Sequence, residues 1–155
     1  MPTERIPEIG STITIQKTAF NSILSRLKED GYLPIGPRLK DEALVYAPID
    51  KIEDLPQGVS TVQKPGYYRL TRGKHMRYFD IIPGAHSWKQ FLFPSRADLF
   101  KLKKNGREWE RIPEKEEPIN YAFIGVRACE LAAIQIQDNI FMRSDFTDPF
   151  YHAHR

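Results

Sequence analysis

The spacing of hydrophobic and polar positions changes several times along the chain, and each change predicts an element. From Thr12 to Gln16, Ile13 and Ile15 alternate with polar neighbours, which predicts a short strand. Phe20, Ile23, Leu24 and Leu27 then share one helical stripe, with Thr18 placed to cap its start and Gly31 to close it in a left-handed turn. Extended pieces follow at Leu33–Pro37, Ala43–Ala47, Tyr67–Leu70 and Arg77–Ile82, punctuated by Pro34, Pro37, Pro48, Pro56, Pro65 and Pro83. Proline cannot donate to a ladder, so these strands read as edges or broken pieces. Gly73-Lys74 is expected to turn a hairpin between Tyr68 and Tyr78, and Asn105-Gly106 to join Leu99–Lys103 to Glu108–Ile112. After a charged connector from Glu114 to Pro118, the largely apolar run Ile119–Val126 predicts a buried strand. Ala128–Phe141 then reads as a helix with Leu131, Ile134, Ile136 and Ile140 as its apolar positions.

The expected fold class is therefore α/β in the mixed α+β sense: an N-terminal helix, proline-interrupted β-hairpins, then a buried strand–turn–helix unit. Residues 1–10 read as a flexible arm and residues 11–155 as a single domain. At 155 residues, with 41% hydrophobic and 12% aromatic positions, the chain can fill a core without staples. No internal repeat or low-complexity tract interrupts it.

Charge excludes one class of partner. Lys and Arg number 23 against 20 Asp and Glu, a formal net charge of +3, whereas nucleic-acid binding needs a concentrated basic face. The densest basic stretch, Arg96–Arg111, is interspersed with Asp98, Glu108 and Glu110 and reads as a solvated face. A lone cysteine, Cys129, allows no internal disulfide. The N-terminus lacks the apolar run of a signal peptide, and no stretch approaches the ~18 apolar residues of a membrane helix. The expected location is cytoplasmic, with no direct membrane insertion.

Three segments could carry chemistry. Ile124-Gly-Val-Arg-Ala-Cys-Glu reads as strand, tight turn and helix start, the place where open α/β sheets bind ligands. Gly125 permits an unusual backbone angle, and Arg127 adds charge to the free N–H groups of the helix end. Cys129 sits where its thiolate would be stabilised. It could ligate an iron–sulfur cluster, react, touch a cofactor, or simply pack helix against sheet. Trp88, Phe91 and Phe93 form an aromatic cluster that serves either as core or as a partner interface, with Ser87 placed to cap a short helical turn. In the tail, His152 and His154 with Asp145 and Asp148 could bind a metal, or the segment could be an unstructured chain end. His75 and His86 stand alone in hairpin-like contexts. No G-x-S-x-G elbow, Walker loop or G-x-G-x-x-G is present, nor a base-and-nucleophile pair at a recognisable spacing.

Four segments in order resemble a known family: Gly31-Tyr32…Gly36-Pro37; Pro65-Gly-Tyr-Tyr-Arg-Leu70; Ser87-Trp-Lys-Gln-Phe-Leu-Phe-Pro94; and Gly125-Val-Arg-Ala-Cys-Glu130. They are similar to the N-terminal part of the iron–sulfur β subunits of sulfhydrogenases and cytoplasmic nickel–iron hydrogenases, a family that also includes an iron–sulfur component of anaerobic sulfite reductase. The resemblance covers most of the chain from Gly31 onward. It implies an accessory or docking domain of an electron-transfer subunit, the N-terminal portion of a longer chain. There, two ferredoxin-type cysteine runs hold [4Fe-4S] clusters that link a flavin subunit to a catalytic one. Those runs are absent here, and a four-thiolate cluster needs four cysteines, so this chain alone is expected to hold none. The family's Arg-Pro-Cys-Asp turn is here Arg127-Ala128-Cys129-Glu130, which carries over Gly125, Arg127 and Cys129 as cofactor-binding candidates, with Cys129 as a cluster ligand. A small-molecule or anion-binding module and a purely structural assembly domain are the competing readings.

Overall fold

The computed structural model describes residues 8–81, 86–96, 98, 100–113, 119–143 and 145–155. The fold is mixed α/β, as the hydrophobic patterns predict. A 3-10 turn, Lys17–Ala19, leads into α1, Phe20–Glu29, and Gly31 at φ +83° ends it, donating its N–H to the Lys28 carbonyl at 3.0 Å. Strands β1 (Tyr32–Lys40) and β2 (Ala43–Pro48) form an antiparallel hairpin, and β7 (Asn120–Phe123) pairs parallel to β1 on its other side. Between them lie two separate hairpins. The first joins β3 (Val59–Lys64) to β4 (Tyr67–Arg72), and the second joins β5 (Phe100–Asn105) to β6 (Glu108–Pro113). The short α2 (Lys89–Leu92), the long α3 (Ala128–Phe141) and α4 (Pro149–His154) complete the chain.

β1 is the middle strand of its sheet despite Pro34 and Pro37, which corrects the expectation that proline confines it to an edge. The reason is stagger. β7 pairs with residues 32–35 and β2 with residues 35–40. Ile35 accepts from the Ile124 N–H on the β7 side at 2.8 Å, so backbone alternation turns Pro37 to that side beyond the last rung. Pro34 faces the β2 side, where its carbonyl accepts from Ile49 at 3.0 Å and no donor is asked of it.

The sheet has helices on both faces. One face presents Leu33, Ile35, Tyr46 and Phe123 to Trp88, Leu92, Ile134 and Tyr151, which come from the α2, α3 and α4 regions. The other carries Ile49, against which Leu24 of α1 packs together with Ile52 and Leu55. Gly36 is needed there, because a Cβ at that position would lie 2.9 Å from Ile49. A third, smaller cluster holds Leu44, Val59 and Ile81.

Several expectations fail locally. Residues 12–16 form no strand, and Ile13 and Ile15 are exposed; their alternation finds no partner strand. Thr18 lies inside the 3-10 turn and caps nothing. Pro65-Gly66, not Gly73-Lys74, turns the hairpin at Tyr68, with Gly66 at φ +69°. Among the described residues, the strand pairing of Tyr78 is an isolated bridge to Gln57. β7 is a half-buried edge, not a buried strand. The tail is not loose: Asp148 caps α4 by accepting from the Tyr151 N–H at 2.8 Å, and Tyr151 is fully buried. The expected turn between β5 and β6 forms one residue later than its Asn105-Gly106 signal, at Gly106-Arg107, with Asn105 paired to Glu108 and Gly106 at φ +66°. Leu99 and the connector 114–118 lie outside the described residues, as do Met1–Pro7 of the arm.

Candidate functional site at the start of helix α3

The β7–α3 junction brings the sequence-predicted site residues to one place. Gly125 takes φ +85°, which an L side chain adopts only with strain. A Cβ there would also come 2.6 Å from the ring of Phe79, itself at φ +60°. The glycine thus makes room for Phe79, and the ring occupies the space above the turn that a ligand would approach.

Arg127 is the N-cap residue of α3, and its N–H donates to Glu130 Oε2 at 2.9 Å. Glu130 Oε1 accepts from the Tyr46 hydroxyl at 2.8 Å. Burial, and then this hydrogen bond, pushes the Tyr46 hydroxyl well above the ordinary tyrosine range, so it stays a donor. Tyr46 stacks on Trp88 with ring centres 4.1 Å apart, which ties the helix start to the core. The positive end of α3 therefore already has its carboxylate, Glu130, supplied from within the first turn.

Cys129 is exposed on the first turn of α3. It is not the small buried thiol that packing alone would predict. Among the described residues no group of three or more His, Cys, Asp or Glu side chains converges to hold a metal. His152, His154, Asp145 and Asp148 do not converge either. Asp148 is spent on the α4 cap, and the His154 ring bonds the Phe150 carbonyl at 2.9 Å.

The aromatic segment divides. Trp88 is 1% exposed and belongs to the core, which corrects its reading as an interface residue; a fully covered ring has no face to offer. Phe91 is half-buried against Tyr121 and Phe123 and lines a cleft of about 430 Å³ with Phe150 and His154. Phe93 stacks on Phe141 at 4.8 Å while keeping part of its surface open.

A polar cluster distant in sequence escapes the sequence pattern. His75 Nε2 lies 3.0 Å from Asp80 and 3.3 Å from the Ser60 hydroxyl. Both partners meet the same ring nitrogen, so a proton held there toward Asp80 leaves no base for the serine. The arrangement braces the 73–80 loop against β3 and does not activate a nucleophile. Only the Ser60 position on β3, which the sequence pattern does not reveal, could have pointed to it.

No helix among the described residues is long and apolar enough to cross a membrane. Comparison of the chain with protein-family models, with curated proteins and with solved structures finds no match.

Proposed function

We propose that this chain is an accessory docking domain of an iron–sulfur electron-transfer subunit, in a cytoplasmic hydrogenase or a sulfur or sulfite reductase assembly. The redox part of the reading rests on the four ordered segments quoted above. The docking part rests on surface that the fold leaves uncovered.

The observation that carries docking is the β5–β6 hairpin. Strand alternation and register put Phe100, Leu102 and Trp109 on one face with Lys104 and Arg111. All five are exposed. Arg111 lies 4.4 Å from the Phe100 ring centre and Lys104 5.7 Å from that of Trp109. A two-stranded ribbon with an open aromatic face is marginal alone. Its apolar centre and cationic rim fit an apolar patch edged by carboxylates on a neighbouring subunit. The anion-binding alternative is disfavoured by Glu130 and Phe79, which fill the positions an anion would take at α3.

The test is anaerobic isolation of the native assembly that carries this chain, with iron and acid-labile sulfide measured per chain. Iron and sulfide that co-elute with the chain support the electron-transfer reading, and an iron-free assembly ends it. Docking is tested separately by Leu102→Asp and Trp109→Asp. Both variants should keep the thermal midpoint of the isolated chain and drop out of the assembly. Retention of both would refute the hairpin as the contact.

A further inference from the structure

Helix α3 is apolar on two sides. Its inner side packs Ile134 and Phe141 against the sheet and α4. Its outer side carries Cys129, Ala133, Ile136 and Ile140, all exposed, with the two isoleucines at 60% and 62%. The steps from 129 to 133 to 136 to 140 are four, three and four residues, the a/d spacing of a two-helix seam. The inner stripe is covered by this chain's own sheet and α4, which leaves the outer one to a partner.

We propose that this outer stripe is a self-association surface, packing against the same stripe of a second copy in antiparallel order. Charge permits it. The stripe is uncharged, and the charged side chains of α3 are engaged elsewhere. Glu130 bonds Tyr46 and the Arg127 N–H, and Asp138 bonds Tyr151 and Arg155. The flanking Gln137 and Asn139 are neutral, and Lys89, which lines the cleft beside Ala133 and Gln137, shares that cleft with Glu130, so the helix faces that meet carry no charge of their own.

Volume sets the direction. The stripe tapers from Cys129 and Ala133 at one end to Ile136 and Ile140 at the other. Antiparallel packing places Cys129 opposite Ile140 and Ala133 opposite Ile136, so that each layer pairs a small side chain with a large one. Parallel packing would stack isoleucine on isoleucine at one end and leave a gap at the other. A helix of 14 residues is only ~21 Å long. Its contact is smaller than the ~800 Å² per partner of a standard interface, so the dimer is reversible. The stripe lies on a different element from the docking hairpin, and its self-association does not depend on whether the assembly contains iron.

The experiment is sedimentation of the full chain over a wide concentration series, with two variants. The unsubstituted chain should dimerise reversibly. Ile136→Glu should weaken association at least about tenfold without moving the thermal midpoint, because position 136 faces outward. Ile140→Cys, treated with oxidised glutathione, should give a dimer bridged between Cys129 of one copy and position 140 of the other, mapped by mass spectrometry. The unsubstituted chain should give no bridge. Its two Cys129 Cα atoms would lie on the order of 16 Å apart along the seam, beyond the roughly 4.4–6.8 Å a disulfide spans. A chain that stays monomeric throughout overturns the proposal, as does association indifferent to Ile136→Glu. Bridges between the two Cys129 residues, or none at position 140 in a dimer that forms, overturn the antiparallel order.

Discussion

Trp88 offers a paired substitution whose two outcomes should differ sharply. The side chain is 1% exposed and packs on Tyr46 at 4.1 Å and Phe123 at 4.7 Å between ring centres. Its indole N–H is buried without a hydrogen-bond partner among the described residues. Trp88→Ala removes the whole ring and leaves a cavity, a change that costs ~3–5 kcal/mol in cores. Against a total stability of about 5–15 kcal/mol, that approaches unfolding. Trp88→Phe keeps a ring against Tyr46 and deletes the unpaired donor. Leaving such a donor unmet costs ~1–3 kcal/mol, which offsets the lost volume. The phenylalanine variant should therefore lie within about 1 kcal/mol of the parent. Urea unfolding followed by far-ultraviolet circular dichroism reads both. With a slope of about 2 kcal/mol/M, the midpoint should fall by ~2 M for alanine and by under ~0.5 M for phenylalanine. Fluorescence gives an independent check, because the phenylalanine variant retains only the exposed Trp109 and should lose the blue-shifted component of the spectrum. Equal losses for both variants would refute the unpaired N–H, and a harmless alanine would remove Trp88 from the core altogether.

Gly125→Ala should cost about 2 kcal/mol, from its positive φ and the Phe79 ring 2.6 Å away; in a Phe79→Gly background the cost should fall by about half, as double-mutant denaturation would measure. Burial, and then its hydrogen bond to Asp138, pushes the Tyr151 hydroxyl from 10.0 up to about 12. The folded state thus holds that proton more tightly, so its stabilisation is complete below pH 10 and is lost as pH rises toward 12. The thermal midpoint should drop across that window and drop less in Tyr151→Phe. Asp138 behaves in the opposite sense. Hydrogen bonding from Arg155 is the main cause holding its carboxyl below the usual range. Its contribution is present near neutrality and vanishes in acid, so the difference in stability between parent and Asp138→Asn, about 1 kcal/mol at pH 7, should close as pH falls through that lowered value, as urea unfolding at a series of pH values would measure.

Elements whose signals are local were legible. Gly31 closes α1, Asn105-Gly106 begins the turn from β5 to β6, and α3 spans the residues its pattern predicts. Elements decided by distant partners were not. Nothing near Tyr32–Lys40 says that Asn120–Phe123 will flank it, so Pro34 and Pro37 argue for an edge. Leu131, Ile136 and Ile140 share with Ile134 the apolar character of core positions, yet Ile134 alone of the four is buried. Hydrophobicity marks surface to be covered without saying by what. The tail helix does carry its own signal, an N-cap aspartate followed by proline in Asp148-Pro149, which the proximity of the two histidines overshadows. At the candidate site, position was legible for Gly125, Arg127 and Cys129, but the roles of Phe79, Tyr46 and Glu130 needed the fold.

The staggered central strand also bears on how the protein is made. β1 emerges from the ribosome roughly 90 residues before β7, an interval of about 5–20 s at ordinary rates of synthesis. During that wait it can pair with β2, while its other edge stands open to any passing strand. Pro37, which faces that edge, offers no N–H to an incoming chain. Features that look like defects in a finished sheet would serve as guards on an unfinished one, keeping the nascent strand a poor template until its proper neighbour arrives.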